Sequence, residues 1–216
     1  RVAAGSHDVP LAWPGLAHFL EHLLFLGTGR FPAGQGLMAY VQGHGGQANA
    51  RTSERTTDFF FELPPQAFAG GLERLSDMLA HPRMNPDEQL REREVLHAEF
   101  VAWSQDAAEQ QQLALFDGLS PDHPLRGFHA GNRDSLAVPQ PEFQQALQDF
   151  HQRFYQTGQM TLSLTGPQSL DELREMAQRF GAEIPVGQRV PQQAPVALMH
   201  TSEKTYQQAG ERRLDL

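Results

Sequence analysis

The stretch Trp13-Pro14-Gly15-Leu16-Ala17-His18-Phe19-Leu20-Glu21-His22-Leu23-Leu24-Phe25-Leu26-Gly27-Thr28 decides how this chain is read. Leu16, Phe19, Leu20, Leu23 and Leu24 recur at helical spacing, the stripe of a helix packed on a core. Pro14 and Gly15 punctuate its start and Gly27 its end. Residues four apart project from one helical face, so His18 and His22 can converge on a single metal ion, with Glu21 beside them. That is two ligands and a base. A catalytic zinc needs a third protein ligand and keeps a fourth position for water.

The third ligand has to come from elsewhere in the chain. Candidates sit in Leu90-Arg91-Glu92-Arg93-Glu94-Val95-Leu96-His97-Ala98-Glu99-Phe100. Glu92 and Glu99 are seven apart and share a helical face, whereas Glu94 points elsewhere. One of the two can ligate and the other support a ligand, and spacing alone does not choose between them. His97 is a further candidate, but it lies roughly 160° around the helix from Glu99 and cannot share its face.

Outward from these segments the pattern reads as helices interleaved with a hairpin. Residues 1–5 look like the tail of a strand, and a second short helix is expected over 36–43. Residues 47–52 and 56–63 read as two strands around the polar turn 53–55, closed by Pro64 and Pro65. Helices follow at 68–81, at 87 to about 116 after Asn85 as N-cap and Pro86 in the first turn, at 141–155 and at 170–180. Residues 118–132 read as loop and 160–165 as a strand. The implied class is α+β, an antiparallel sheet with helices packed on it. A doubly wound parallel sheet fits worse, because no glycine-rich phosphate loop follows a strand.

Composition narrows the chemistry. The 216 residues carry a formal charge of −9, the wrong sign for a phosphate-backbone binder, so no nucleic-acid partner is expected. No apolar run approaches the roughly 18 residues that span a bilayer, so no membrane partner is expected either. With no cysteine, a metal must be held by His, Asp or Glu. The chain reads as an excised segment: residues 1–181 as an amino-terminal catalytic domain, 182–216 as its end or a linker toward a second half.

Taken together, His18-x-x-Glu21-His22, the following Leu-Leu-Phe-Leu-Gly-Thr and the distant glutamate pair resemble the inverted-motif zinc peptidases of the pitrilysin and insulysin family, M16. In that family the third ligand lies about 77 positions after the second histidine and ends an E-x6-E motif, which falls on Glu99 with Glu92 as the first glutamate. Gly45, Gly46, Asn49 and Ala50, residues 57–63, the group His123, Pro124, Phe128, Gly131 and Asn132, and residues 160–174 are similar to further family motifs. Leu26 resembles the long single-chain members. Among these, GSHD, WPGLAHFLEHLLFLGT and ARTSERTTDFFFELP look most like the proteases of bacterial pyrroloquinoline quinone (PQQ) biosynthesis.

The resemblance implies one repeat of the M16 metallopeptidase fold, shared with LuxS and the mitochondrial processing peptidases. It implies Zn²⁺ on His18, His22 and Glu99, Glu21 as general base and Glu92 as a supporting catalytic residue. It also implies a peptide substrate added as a strand beside Asn49 and Ala50, with a short ribosomally made precursor as substrate class. The partners implied are a carboxy-terminal half that closes a clamshell and a companion M16-like subunit. The isolated chain is then expected to have little or no peptidase activity. A non-catalytic peptide-binding or assembly subunit of the same fold is the alternative. The expected compartment is the cytoplasm, the absence of cysteine being compatible with the periplasm as well.

Overall fold

The computed structural model describes residues 1–117, 119, 123–126 and 129–191, and the backbone of 204–208 and 211–215. Phe128, one of the motif residues above, lies outside the described residues. Helix α1 (Leu16–Leu24) is the centre of the core. It is buried almost all round, with Leu16, Phe19, Leu20, Leu23 and Leu24 each at most 1% exposed. Gly15 caps it at φ +90° and Gly27 leaves it at φ +100°, the left-handed region that glycine enters without a Cβ penalty.

Helix α2 (Leu37–Gly43) leads into strand β1 (Gln47–Thr52), which pairs antiparallel with β2 (Thr57–Glu62) in the register Gln47↔Glu62 to Thr52↔Thr57. Val2 bridges Thr57 on one side and Met160 on the other, so the opening residues join the sheet beside β2. Helix α3 (Phe68–Ala80) follows, then α4 (Pro86–Trp103), α5 (Ala107–Asp117), α6 (Pro141–Phe154) and α7 (Leu170–Glu183). Helix α1 packs against β1, α4 and α6. Phe143, Leu147, Phe150 and Phe154 form the inward stripe of α6, all buried. The class is the α+β one expected.

Three expectations need correction. The helix read as continuous from 87 to about 116 is two, because Asp106 caps a fresh start: its Oδ1 accepts from the N–H groups of Ala108 and Glu109 at 2.9 and 3.2 Å. Residues 160–165 form no strand beyond the single bridge at Met160. Leu162 and Leu164 keep the alternating burial of one, but the neighbouring backbone, Arg1 to Ala3, bonds only Gln159 and Thr161. Residues 204–215, for which no strand is expected within the stretch read as the domain's end or a linker, contain an antiparallel pair, β3 (Lys204–Gln208) with β4 (Glu211–Asp215). Their polar composition lacks the apolar alternation by which strands are recognised.

Candidate metal centre

Helix α1 delivers two imidazoles to one side. The His18 and His22 rings lie 4.8 Å apart, centroid to centroid, edge to face. Each ring is held from behind. His18 Nδ1 is 2.7 Å from the carbonyl oxygen of Ala130, and His22 Nδ1 is 2.8 Å from Glu92 Oε1. A carbonyl or carboxylate oxygen accepts only, so both Nδ1 atoms carry a proton, and in the neutral form of each ring it is Nε2 that offers a lone pair.

Those two Nε2 atoms face Glu99 on α4, at 3.8 Å from His18 and 3.6 Å from His22 to Glu99 Oε2. Ligands about 2.0–2.1 Å from a tetrahedral ion stand about 3.3 Å from one another, so the two His–Glu99 distances need only a small contraction to fit zinc, and all three donor atoms lie within 4.8 Å of one another. Among the described residues, His18, His22 and Glu99 are the group of such donors that gathers in this way. Burial alone would push the His22 imidazole down; the Glu92 hydrogen bond and the charges of Glu99, Glu92 and Glu21 outweigh it, and its pKa is raised.

Glu21 is buried, 7% exposed, on the same helix. A buried carboxylate needs donors. Thr52 at the end of β1 provides one, its Oγ1 donating to Glu21 Oε2 at 2.5 Å. Thr57 Oγ1, 3.4 Å from Thr52 Oγ1, donates in turn to the Ala4 carbonyl at 3.0 Å. The Tyr155 phenol is pushed up by burial and by the Glu21 charge, so it stays neutral behind the base.

Strand β1 has an open edge. Thr57 spends its N–H and C=O on Val2, which makes Thr52↔Thr57 a non-hydrogen-bonded pair. By alternation, Ala48, Ala50 and Thr52 turn their backbone groups away from β2. No strand pairs with that edge among the described residues. Asn49 is exposed and Ala50 half-buried, and Asn49 Oδ1 covers the Ala50 N–H at 2.8 Å.

The structure thus gathers His18, His22, Glu99, Glu21 and Glu92, and places Asn49 and Ala50 on the strand whose last residue binds Glu21. Glu94 and His97 face away, Glu94 pairing with Arg133 and Arg93, and His97 Nδ1 accepting from the Arg133 N–H at 3.5 Å. Sequence reasoning missed Thr52 and the Ala130 carbonyl. The first was detectable, since Thr52 shares the inward parity of Ala48 and Ala50; the second is backbone and has no side-chain signal.

Residues 1–123 match the family described as insulinase (peptidase family M16), and residues 143–213 match the peptidase M16 inactive domain. The chain is 69% identical over its whole length to the coenzyme PQQ synthesis protein F of Pseudomonas protegens, covering 26% of that protein. It is 34% identical to Protease 3 of Escherichia coli over 85% of the chain and 19% of that protein. Crystalline pitrilysin superposes with a TM-score of 0.84 at 31% identity, over 92% of this chain and 21% of its own. The chain therefore spans about a quarter or less of these relatives, and every gathered side chain falls within residues 1–123. It belongs to the insulinase family of peptidases, M16.

Proposed function

We propose that this chain is the zinc-binding, amino-terminal catalytic domain of a metalloendopeptidase that cuts short peptides, with a precursor peptide of coenzyme PQQ synthesis as substrate. The observation that carries the reading is the convergence of both His Nε2 atoms and Glu99 Oε2 with Glu21 alongside. The donor set of two imidazoles and a carboxylate suits zinc at a hydrolytic site. The pathway rests on the likeness to proteins named for coenzyme PQQ synthesis.

His18, His22 and Glu99 would hold the ion. When bound, Zn²⁺ supplies a Lewis acid that polarises the scissile carbonyl and acidifies water to a pKa of about 7. Glu21 takes the proton of the attacking water and passes it to the leaving amine. Thr52 holds that carboxylate through Oε2, leaving the other oxygen for the proton. Glu92 keeps the His22 ring turned so that Nε2 is the ligating atom.

The substrate adds to the open edge of β1 as an extended strand, its carbonyl replacing Asn49 Oδ1 on the Ala50 N–H. The rest of the protein contributes a second half that closes over the peptide, and a companion M16-like subunit assists. The isolated chain accordingly binds zinc and cleaves peptides weakly or not at all.

The test is peptide cleavage by the complete protein, wild type against Glu21→Gln. The expected result is cleavage by wild type and none by the variant, with zinc content equal in both. Equal turnover by the two proteins removes Glu21 as base. Zinc without cleavage in the wild type, even with the companion subunit, favours the peptide-binding or assembly role instead.

A further inference from the structure

The two ligand-bearing helices are joined by a third element that carries no ligand, the loop of residues 130–136. Its first residue touches the site: the Ala130 carbonyl accepts from His18 Nδ1 at 2.7 Å. Its second docks on the start of α1, backbone against backbone. Gly131, at φ +84°, lies so close to Gly15 that a Cβ on Gly15 would sit 2.2 Å from the Gly131 Cα. Its fourth reaches across to α4, where the Arg133 Nε and Nη2 both donate to Glu94 Oε2, Nε at 2.9 Å, and the Arg133 N–H points to His97 Nδ1. The loop is internally stiff. Asn132 Oδ1 accepts from Asp134 and Ser135 N–H, each at 2.9 Å, and Leu136 is completely buried.

We propose that this loop is a staple that sets the separation of α1 and α4, and that Arg133 and Glu94 are positioning residues for the metal centre. The inference rests on His18, His22 and Glu99 being the metal site. Its physical basis is the asymmetry between the ligands. His18 and His22 are fixed by hydrogen bonds at Nδ1, whereas the Glu99 side chain is half exposed and is placed mainly by the position of α4. Glu94 lies on the turn of α4 between Glu92 and Glu99, so a clamp on it acts on the segment that carries the third ligand. The same loop sets the His18 ring through Ala130. Loss of the clamp frees α4 and the Ala130 carbonyl together, and both changes loosen the donor set.

Because the Arg133–Glu94 pair is exposed, its contribution to folding stability is small. Metal affinity should therefore respond more than stability does. The experiment measures zinc affinity of the 216-residue chain by competition with a chromophoric chelator, for wild type, Arg133→Gln and Arg133→Lys, with the cobalt-substituted absorption spectrum and the melting temperature of each metal-free protein. Outer partners of metal ligands commonly matter 10- to 100-fold, so the expected result is about a tenfold loss of affinity and an altered cobalt spectrum in Arg133→Gln. Arg133→Lys should recover most of the affinity, and melting should stay unchanged. Wild-type affinity in Arg133→Gln overturns the staple, as does a loss matched by an equal fall in melting temperature. Failure of the wild type to bind zinc overturns the metal reading beneath it and the staple with it.

Discussion

Helices α1 and α4 face each other across the proposed metal, and they are built on opposite principles. Seven of the nine residues of α1 are buried, and its two imidazoles are the side chains left partly open. Of the eighteen residues of α4 only Gln89 and Leu96 are buried, and Glu99 stands half exposed. The core therefore fixes the first two ligands before any metal arrives. The third depends on polar ties made along a solvated helix. Preorganisation of this kind lets a single helix dictate geometry, while the partner helix is held to it by those ties.

The largest effect that would break the comparison lies on α1. In the complete protein Glu21→Gln should lower peptide turnover about 10³-fold, the scale of general-base loss, without loss of zinc. Turnover within tenfold of wild type would show that the buried helix supplies ligands only. The next test is energetic. Leu20→Ala on α1 should destabilise the chain by about 3 kcal/mol, whereas Val95→Ala on the exposed face of α4 should stay within about 0.5 kcal/mol, both read from denaturant unfolding. Equal costs would mean that α4 is buried in solution and that the asymmetry is wrong.

A smaller effect separates the two helices at a single hydrogen bond. Glu92→Gln keeps the shape but weakens the hold on His22 Nδ1, and zinc affinity should fall about tenfold. An unchanged affinity would show that α1 alone positions His22.

The smallest effect concerns acid. His7, His129 and His151 are each pushed below the ordinary 6.5, by burial first. The unfolded chain takes up their protons before the folded one does, so the stability they contribute is complete above about pH 6.5 and is lost as pH falls toward their native values. His22, whose pKa is raised, works in the opposite sense, contributing stability below about 6.5 that is lost as pH rises through its native value. In a metal-free His22→Gln variant, which lacks the opposing group, the melting temperature should fall between about pH 7 and pH 5.5, and a flat or rising profile would contradict the burial assigned to these rings.

Much of the site was legible because it is written in helical periodicity. His18, Glu21 and His22 follow from spacing on one helix; a seven-residue spacing on another pairs Glu92 with Glu99 as candidates, and only the family resemblance chooses Glu99 as the ligand. The failures share a cause too. The break at Ser104 to Asp106 was hidden because helical residues flank a short cap, and one Asp106 side chain decides it. Residues 160–165 carry a strand's alternation, but a strand also requires a neighbour, and the neighbouring backbone ends its hydrogen bonds at Thr161. Residues 204–215 pair through polar strands that leave no apolar alternation. The Ala130 carbonyl was invisible because tertiary packing, between Gly15 and Gly131, brings it to His18.

The central claim is that α1 and α4 together make one zinc site. It is tested most directly by elemental analysis of zinc per chain, on protein purified without added metal, for wild type and Glu99→Gln. The account predicts about one zinc per wild-type chain and a large loss in the variant. No zinc in wild type even after metal is added back, or full occupancy in Glu99→Gln, would contradict it.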